Sequence, residues 1–345
     1  MTSGESTPGA RRPTLEMVAA RAGVSRGTAS RALNGGVGVS PKAMAAVAQA
    51  VQSLGYQPTL AARSLAVGRS ESIGLVVSEA DDRLFNDPFF ARLVSGVRSA
   101  LVPTDTQLVI TLAHTVAEQE QVVRMAAGRH VDGVLLVSLH GKSPLPRALA
   151  KAGVPVVAVG RPVETAHGAD DPWWVDADNR GGARQATRFL CDSGRRRVAT
   201  IAGPQDMAAG QDRLNGWRDV VPEADWEVLA EPGDFTRESG FAAMNRLIDR
   251  VRDLDAVFVG NDPMALGALD ALARAGRRVP DDVAVVGFDN ALAAQQSLPT
   301  LSTVEQPVGR LGTLMTEMLL ARVLGRPVQS HHVVLPTRLV LRESS

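Results

Sequence analysis

Two arginines near the amino terminus, Arg26 and Arg31, have the setting of side chains that contact DNA bases. They lie in the segment TLEMVAARAGVSRGTASRALNGG, residues 14–36, whose pattern predicts two short helices joined by a turn at Gly23. A helix fits the major groove of B-DNA, and arginine can donate two parallel hydrogen bonds to guanine O6 and N7. The segment therefore predicts a DNA-reading hairpin, with an ordinary helical hairpin and solvated arginines as the structural alternative.

Three helices are expected to position these arginines. Thr14 and Ser25 are predicted to cap the first two, and Ser40, followed by Pro41, the third. The inward positions expected of the first two helices are Leu15, Val18, Ala19, Ala22, Ala29, Ala32 and Leu33, and those of the third are Met44, Val47, Ala48, Val51 and Leu54. Gly55 should end the third helix, and Tyr56 should anchor its end. The predicted order is a disordered arm (1–12), a headpiece (13–57) and a short helix with its linker (58–71).

Charge is distributed unevenly along the 345 residues, although the net charge is zero. Residues 1–70 hold eight basic and two acidic side chains, so they carry +6 and the remainder carries −6. Such a basic amino-terminal segment favours contact with phosphates. Cys191 is the single cysteine, and the sequence has neither the apolar core of a signal peptide nor a run of 18 apolar residues, so we expect a cytoplasmic protein without membrane contact.

From Ser72 onward, short apolar runs alternate with amphipathic stretches. The runs read as strands are IGLVVS, QLVITLA, VDGVLLVS, VPVVAVG, RVATIAG, LDAVFVG and VAVVGF. This alternation predicts parallel sheets covered by helices, arranged as two doubly wound halves with a ligand crevice beyond the strand ends. The predicted fold is thus an all-α helix-turn-helix headpiece and a short helix, then a two-lobed α/β core with parallel sheets over 72–345.

Motifs along residues 13–342 are collinear with one family. They include AGVSRGTASRALNG, AARSL, DPFF, DNRGGA, GNDPMALGAL and VPDDVAVVGFDN, and with them the chain resembles the Lac repressor (LacI/GalR) family of bacterial regulators. The resemblance implies that residues 25–33 form a recognition helix. It also implies that Leu65 of a hinge helix wedges into the minor groove, and the structural alternative for Leu65 is a buried core leucine. The DNA-contacting residues it implies are Thr14, Ser25, Arg26, Thr28, Ser30, Arg31, Asn34, Arg63 and Leu65. Gly27 departs from relatives that carry a base-reading side chain there, so readout should depend on Arg26 and Arg31.

The resemblance also implies that residues 58–71 form a hinge helix with its linker. It implies that the core over 72–345 has the fold of periplasmic binding proteins, forms dimers and binds an effector between its two lobes. The residues it assigns to that site are Asp87, Phe89, Arg161, Arg213, Phe235, Asn261 and Asp289. Carboxylates, an amide and a guanidinium can hydrogen-bond hydroxyl groups while an aromatic ring covers an apolar face, although each residue could instead satisfy a turn or fill the core. Gly160 stands where some sugar-binding relatives have aspartate. Asp178 and Asn179 are expected to hold a helix junction. Trp173 and Trp174 are expected to pack, with a stacking platform in the crevice as the alternative for one of them.

These patterns predict a DNA-binding transcriptional regulator and not an enzyme. We find no catalytic motif, and the adjacent His331 and His332 do not have the spacing of metal ligands, so we expect no cofactor and no metal. The expected partners are a pseudo-palindromic operator, a second copy of the chain (a tetramer stays open) and a small effector. We expect a sugar as the effector, with a nucleoside as the alternative. Whether the effector weakens or strengthens operator binding stays open. The alternatives are a solute-binding receptor and a sugar-modifying enzyme.

Overall fold

The computed structural model describes residues 13–33, 38–56, 69–163 and 172–345. They fall into two compact units, with the division between Glu71 and Ser72. The helices are α1 (Leu15–Ala22), α2 (Arg26–Leu33), α3 (Pro41–Leu54), α4 (Asp81–Asn86), α5 (Pro88–Leu101), α6 (Val116–Ala127), α7 (Leu145–Lys151), α8 (Asn179–Asp192), α9 (Ala208–Arg218), α10 (Trp226–Leu229), α11 (Arg237–Arg250), α12 (Asp262–Arg274), α13 (Leu292–Gln296) and α14 (Val308–Val323). The strands are β1 (Ser72–Val77), β2 (Gln107–Leu112), β3 (Gly133–Val137), β4 (Val156–Val159), β5 (Trp173–Ala177), β6 (Val198–Ala202), β7 (Ala230–Pro232), β8 (Ala256–Val259), β9 (Ala284–Phe288), β10 (Ser302–Glu305), β11 (His332–Leu335) and β12 (Arg338–Val340).

The amino-terminal unit is built on α1, α2 and α3. The Thr14 hydroxyl accepts from the Met17 amide at 3.4 Å, and Gly23 ends α1 with φ of 66°, a backbone conformation that suits glycine. The buried core of this unit is Val18, Ala19, Ala29, Val47, Ala50 and Tyr56. The predicted inward faces of α1 and α2 are therefore confirmed.

The predicted inward face of α3 is partly wrong. Met44 is 42% exposed and Ala48 is exposed, whereas Ala50 is buried. Val47, Ala50 and Leu54 recur at helical spacing and face the core, so the buried stripe is rotated away from Met44. Five of the fourteen residues of this helix are alanine and they lie on several of its faces, so hydrophobicity alone left the inward face undetermined.

The larger unit contains two lobes, each organised around a six-stranded sheet. The N lobe has the strand order β11-β5-β4-β3-β1-β2, and the C lobe has the order β12-β10-β9-β8-β6-β7. All seven predicted strands are present, and the pairs are parallel except for β10 with β12. The sequence analysis did not identify β5, β7, β10, β11 and β12, which are three to five residues long.

The chain passes between the lobes three times. After β5 it enters α8, which packs on the C-lobe sheet, and after β10 it returns to α14, which packs on α5 and on strands of the N lobe. The third passage runs from β11 to β12. These passages bring the carboxyl ends of both sheets to one crevice, where ligands bind in open parallel sheets.

Helices α5 and α14 cross where Gly96 has no room for a side chain. A Cβ on Gly96 would overlap the carbonyl oxygen of Gly309. We therefore expect Gly96→Ala to lower the free energy of unfolding by about 1–3 kcal/mol through overpacking, measured by urea unfolding. Gly309→Ala is the matched control, because a Cβ there meets nothing within 4 Å and alanine favours the helix. Equal effects of the two substitutions would contradict this account of the crossing.

No helix among the described residues is both long and apolar enough to span a bilayer.

Candidate functional site

The first candidate site is the outer face of α2. Ser25, Arg26 and Arg31 are exposed, and Thr28 is half-buried with its hydroxyl 2.9 Å from that of Ser25. The Ser25 hydroxyl also accepts from the Thr28 amide at 3.1 Å, so the predicted cap is present. The face can therefore present two guanidinium groups to a groove.

A carboxylate on α1 already engages one of these arginines. Arg26 Nε lies 3.1 Å from Glu16 Oε1, and the two side chains are 71% and 58% exposed. A backbone hydrogen bond has the largest effect on the pKa of Glu16 and lowers it. The Thr14 hydroxyl and the Arg26 charge also lower this pKa. The contact with Glu16 is made by Nε, and guanine is read by two parallel hydrogen bonds that the terminal nitrogens can donate.

Other predicted DNA-contacting residues have different surroundings. Thr14 is exposed at the start of α1, and Ser30 is half-buried. Asn34, Arg63 and Leu65, with the expected arm and most of the hinge helix, lie outside the described residues.

The second candidate site is a cavity between the two lobes. The space between its walls is about 740 Å³, a figure that includes open solvent at its mouth. All seven residues that the resemblance assigned to an effector line it: Asp87, Phe89, Arg161, Arg213, Phe235, Asn261 and Asp289. The cavity lies at the strand ends, with Arg161 just after β4 and Asn261 just after β8.

Arg213, on α9, forms the centre of this cavity and is 5% exposed. Its Nη1 atom donates to the Gly260 carbonyl at 2.6 Å and lies 3.4 Å from Asp289 Oδ1, while Nε donates to Asn179 Oδ1 at 2.9 Å. The guanidinium also lies 3.8 Å from the centre of the Phe288 ring. Every contact fixes its orientation, so the arginine is held in place before a ligand arrives.

Buried carboxyl groups surround this arginine. Burial raises the pKa of Asp176 to about 6, and it also raises the pKa values of Asp289 and Asp87. The positive charges of Arg213, near Asp289, and of Arg83, near Asp87, act in the opposite direction. Asp262, buried beneath them, has a raised pKa for the same reason. The cluster thus carries several acceptors whose charge depends on Arg213.

Two of the predicted effector residues also serve as helix caps. Asp87 accepts from the Phe89 amide at 3.0 Å at the start of α5, and Asn261 accepts from the Met264 amide at 3.0 Å at the start of α12. Asn261 Nδ2 also donates to the Phe235 carbonyl at 2.9 Å. These structural roles hold the two side chains at the cavity wall.

The cavity wall contains strained backbone. Ser138, Phe235 and Asp289 have φ values of 57°, 71° and 114°, in a region that side chains other than glycine rarely adopt. Such strain clusters where structure is retained for binding. It turns the Phe235 ring toward the guanidinium groups of Arg83 and Arg213, 5.4 and 5.6 Å from its centre.

The sequence analysis missed several residues of the wall. The additional polar ones are Arg83, Ser138, Asp176, Asn179 and Gln306. Asn179 was expected only to hold a junction, but it also contacts Arg213. A carboxamide directly after the buried strand β10 was the available signal for Gln306, whose Nε2 donates to Asp289 at 2.5 Å. Trp173 and Trp174 stack on His331 and His332 instead, so the packing expected of them is confirmed.

A second space adjoins the cavity. It shares Arg83, Asp87 and Phe235 with the first and extends between Arg237 on α11 and Pro263 on α12. The two spaces together provide a site whose walls carry both polar and apolar groups.

Comparison with known proteins gives two family matches and relatives of nearly full length. Residues 14–59 match the model described as "Bacterial regulatory proteins, lacI family", and residues 187–345 match a periplasmic binding protein-like domain. The HTH-type transcriptional regulator CelR of Thermobifida fusca is 48% identical over 97% of this chain and 98% of the relative. The ribose operon repressor of Halalkalibacterium halodurans is 32% identical over 96% and 97%.

Solved structures resemble the whole chain as well. A transcriptional regulator CelR-cellobiose complex matches with a TM-score of 0.76 and 46% identity, over 97% of this chain and 100% of that one. A Lac repressor dimer bound to operator and the anti-inducer ONPF matches with a TM-score of 0.82 and 27% identity, over 97% and 99%.

Proposed function

This chain belongs to the lacI family of bacterial regulatory proteins, and we propose that a glucose disaccharide of the cellobiose class controls its binding to operator DNA. It is a DNA-binding transcriptional regulator and not an enzyme. We infer that it represses an operon for sugar uptake or catabolism and that it works in the cytoplasm, where its operator lies. A dimer would place one α2 in each half of a pseudo-palindromic site.

The charge balance of the cavity is the observation that carries the ligand class. Arg213 faces Asp289, Arg161 pairs with Asp212 at 2.5 Å, and Arg83 pairs with Glu79 at 2.7 Å. Each guanidinium is already neutralised, so an anionic ligand such as a sugar phosphate would compete with carboxylates. Neutral hydroxyl groups can instead use the remaining donors and acceptors beside the Phe89 and Phe235 rings.

The adjoining space favours a disaccharide over a monosaccharide or a nucleoside. If one sugar ring occupied the main cavity, the second ring of a disaccharide would lie in the adjoining space past Arg83, Asp87 and Phe235. The 46% identical relative was solved with cellobiose, a two-ring neutral sugar. These observations support the same ligand class independently.

Two measurements test this function. Full-length protein should enrich inverted-repeat duplexes from a randomised DNA pool, and binding to an enriched duplex should weaken steeply as salt increases. Cellobiose should then change the affinity for that duplex and stabilise the protein, by about 2.7 kcal/mol at a hundred times its Kd. Maltose, its α-linked isomer, and adenosine are the matched controls. No enrichment at low salt would contradict DNA regulation, and equal effects of cellobiose and maltose would contradict the ligand class.

The ion pair on the DNA-reading face gives a further prediction. Glu16 holds Nε of Arg26, so Glu16→Gln should lower the selectivity for the base that Arg26 contacts by about two- to fivefold, as expected for an exposed pair. Binding to unrelated DNA should tighten at the same time, because a negative charge is lost. Fluorescence anisotropy with an enriched duplex and a scrambled one measures both. Unchanged selectivity would show that Glu16 does not orient Arg26.

A further inference from the structure

One histidine lies between carboxylates of the two lobes. His140 follows β3 in the N lobe, and its Nδ1 atom is 2.9 Å from Oδ2 of Asp206, in the C-lobe loop after β6. Its Nε2 atom is 3.1 Å from Oε1 of Glu79, which follows β1. We call these three side chains the His140 clasp. The Gly141 amide also donates to the Asp206 carbonyl at 2.7 Å, so the two loops meet through backbone as well.

The geometry of the clasp favours a charged ring. A neutral imidazole has one donor and one acceptor nitrogen, so one ring nitrogen would face a carboxylate without a proton between them. An imidazolium donates from both nitrogens and satisfies both contacts. The Glu79 hydrogen bond, and then that of Asp206, raise the pKa of His140 against the opposing effect of burial.

The other charged groups around the clasp do not replace this role. Arg83 donates to the same Glu79 carboxylate at 2.7 Å, and Lys142 is exposed two residues along the loop. Other links across the crevice use arginine: Arg161 pairs with Asp212, and Arg92 donates to the Asp289 carbonyl at 2.8 Å. Arginine keeps its charge at every relevant pH, whereas histidine titrates near neutrality. Among these described links, the clasp is therefore the pH-sensitive one.

We propose that His140 is a positioning residue for the effector, which closes the lobes as an imidazolium, so that effector binding takes up a proton. This rests on the proposed function, in which the effector lies between the lobes. When the crevice opens, Asp206 leaves the ring and the proton is held less tightly. By linkage, effector affinity is highest at low pH and falls as pH rises through the pKa of the closed form.

Calorimetric titration of the full-length protein with cellobiose tests the clasp. At pH 7.5, comparison of two buffers with different ionisation enthalpies should show net uptake of a fraction of a proton per site. The Kd should rise by up to about tenfold per pH unit between pH 7 and 8.5. Both effects should be lost in His140→Gln and in Asp206→Asn, which leaves the histidine in place. Asp176 and Asp289 remain in every variant and are ionised in this range.

His130→Gln is the matched control, since His130 is exposed and precedes β3, at the end of the strand opposite to His140. It should behave as the wild type, and equal proton uptake in wild type and His140→Gln overturns the proposal. If cellobiose binds no variant, ligand-free unfolding in urea still decides. The advantage of wild type over His140→Gln should be present at pH 6 and be lost as pH rises to 8.5. If this stability advantage is observed, the clasp stands and the proposed effector is wrong. If the advantage is not observed, the clasp is wrong.

Discussion

Replacing Arg213 with methionine should lower the free energy of unfolding by about 3–5 kcal/mol at pH 7 and abolish the response to cellobiose. The guanidinium is buried, and its positive charge offsets those of Asp289, Asp176, Asp262 and Asp87. Methionine fills much of the volume but leaves these carboxylates without their cation. It also leaves Asn179 and the Gly260 carbonyl without a donor. Urea unfolding and calorimetry with cellobiose measure the two losses.

The pH dependence of this variant separates charge from packing. In the wild type, the pKa values of Asp176 and Asp289 are already raised to about 6, and removing Arg213 should raise them further. A carboxyl whose pKa is raised in the folded state destabilises that state above its unfolded pKa, and protonation relieves the cost. The deficit of Arg213→Met should therefore shrink between pH 7 and 5. Arg213→Lys, which keeps the charge, should lose less stability, and a constant deficit across pH would indicate lost packing alone.

The cavity could be assembled from sequence because its residues follow strands with strong apolar patterns. Asn261 and Asp289 come directly after β8 and β9, and the carboxyl ends of parallel strands share one edge of a sheet. Asp176 was not predicted because it lies within β5, whose two tryptophans and carboxylate do not form an apolar run. Arg83 was not predicted because its place between the lobes depends on their packing, which no local pattern reports.

The headpiece illustrates the same limit at smaller scale. Local signals were sufficient for the caps at Thr14 and Ser40, since a capping side chain contacts an amide three residues away. They were insufficient for α3, where Ala48 and Ala50 have identical side chains and only packing against α1 and α2 decides which is buried. Nor could they reveal the contact between Glu16 and Arg26, which joins two helices.

Arg31→Ala should weaken binding to the operator by roughly 1–3 kcal/mol in each half-site. Arg31 is exposed on α2, one turn after Gly27, whose missing side chain leaves the neighbouring surface bare. Arg26 is held by an ion pair with Glu16, whereas no such pair among the described residues holds Arg31. Fluorescence anisotropy with an enriched duplex, and with variants of that duplex changed at one guanine, measures the effect.

The pattern across sequences identifies what Arg31 does. If it donates to one guanine, changing that base pair should weaken the wild type but leave Arg31→Ala almost unaffected, since the contact is already lost. Arg21→Ala is the matched control, because Arg21 is exposed at the end of α1 and its removal deletes the same charge. It should weaken binding to all sequences alike and reduce the salt dependence. If Arg31→Ala behaved in that way instead, Arg31 would be a phosphate contact, and base reading would depend on Arg26.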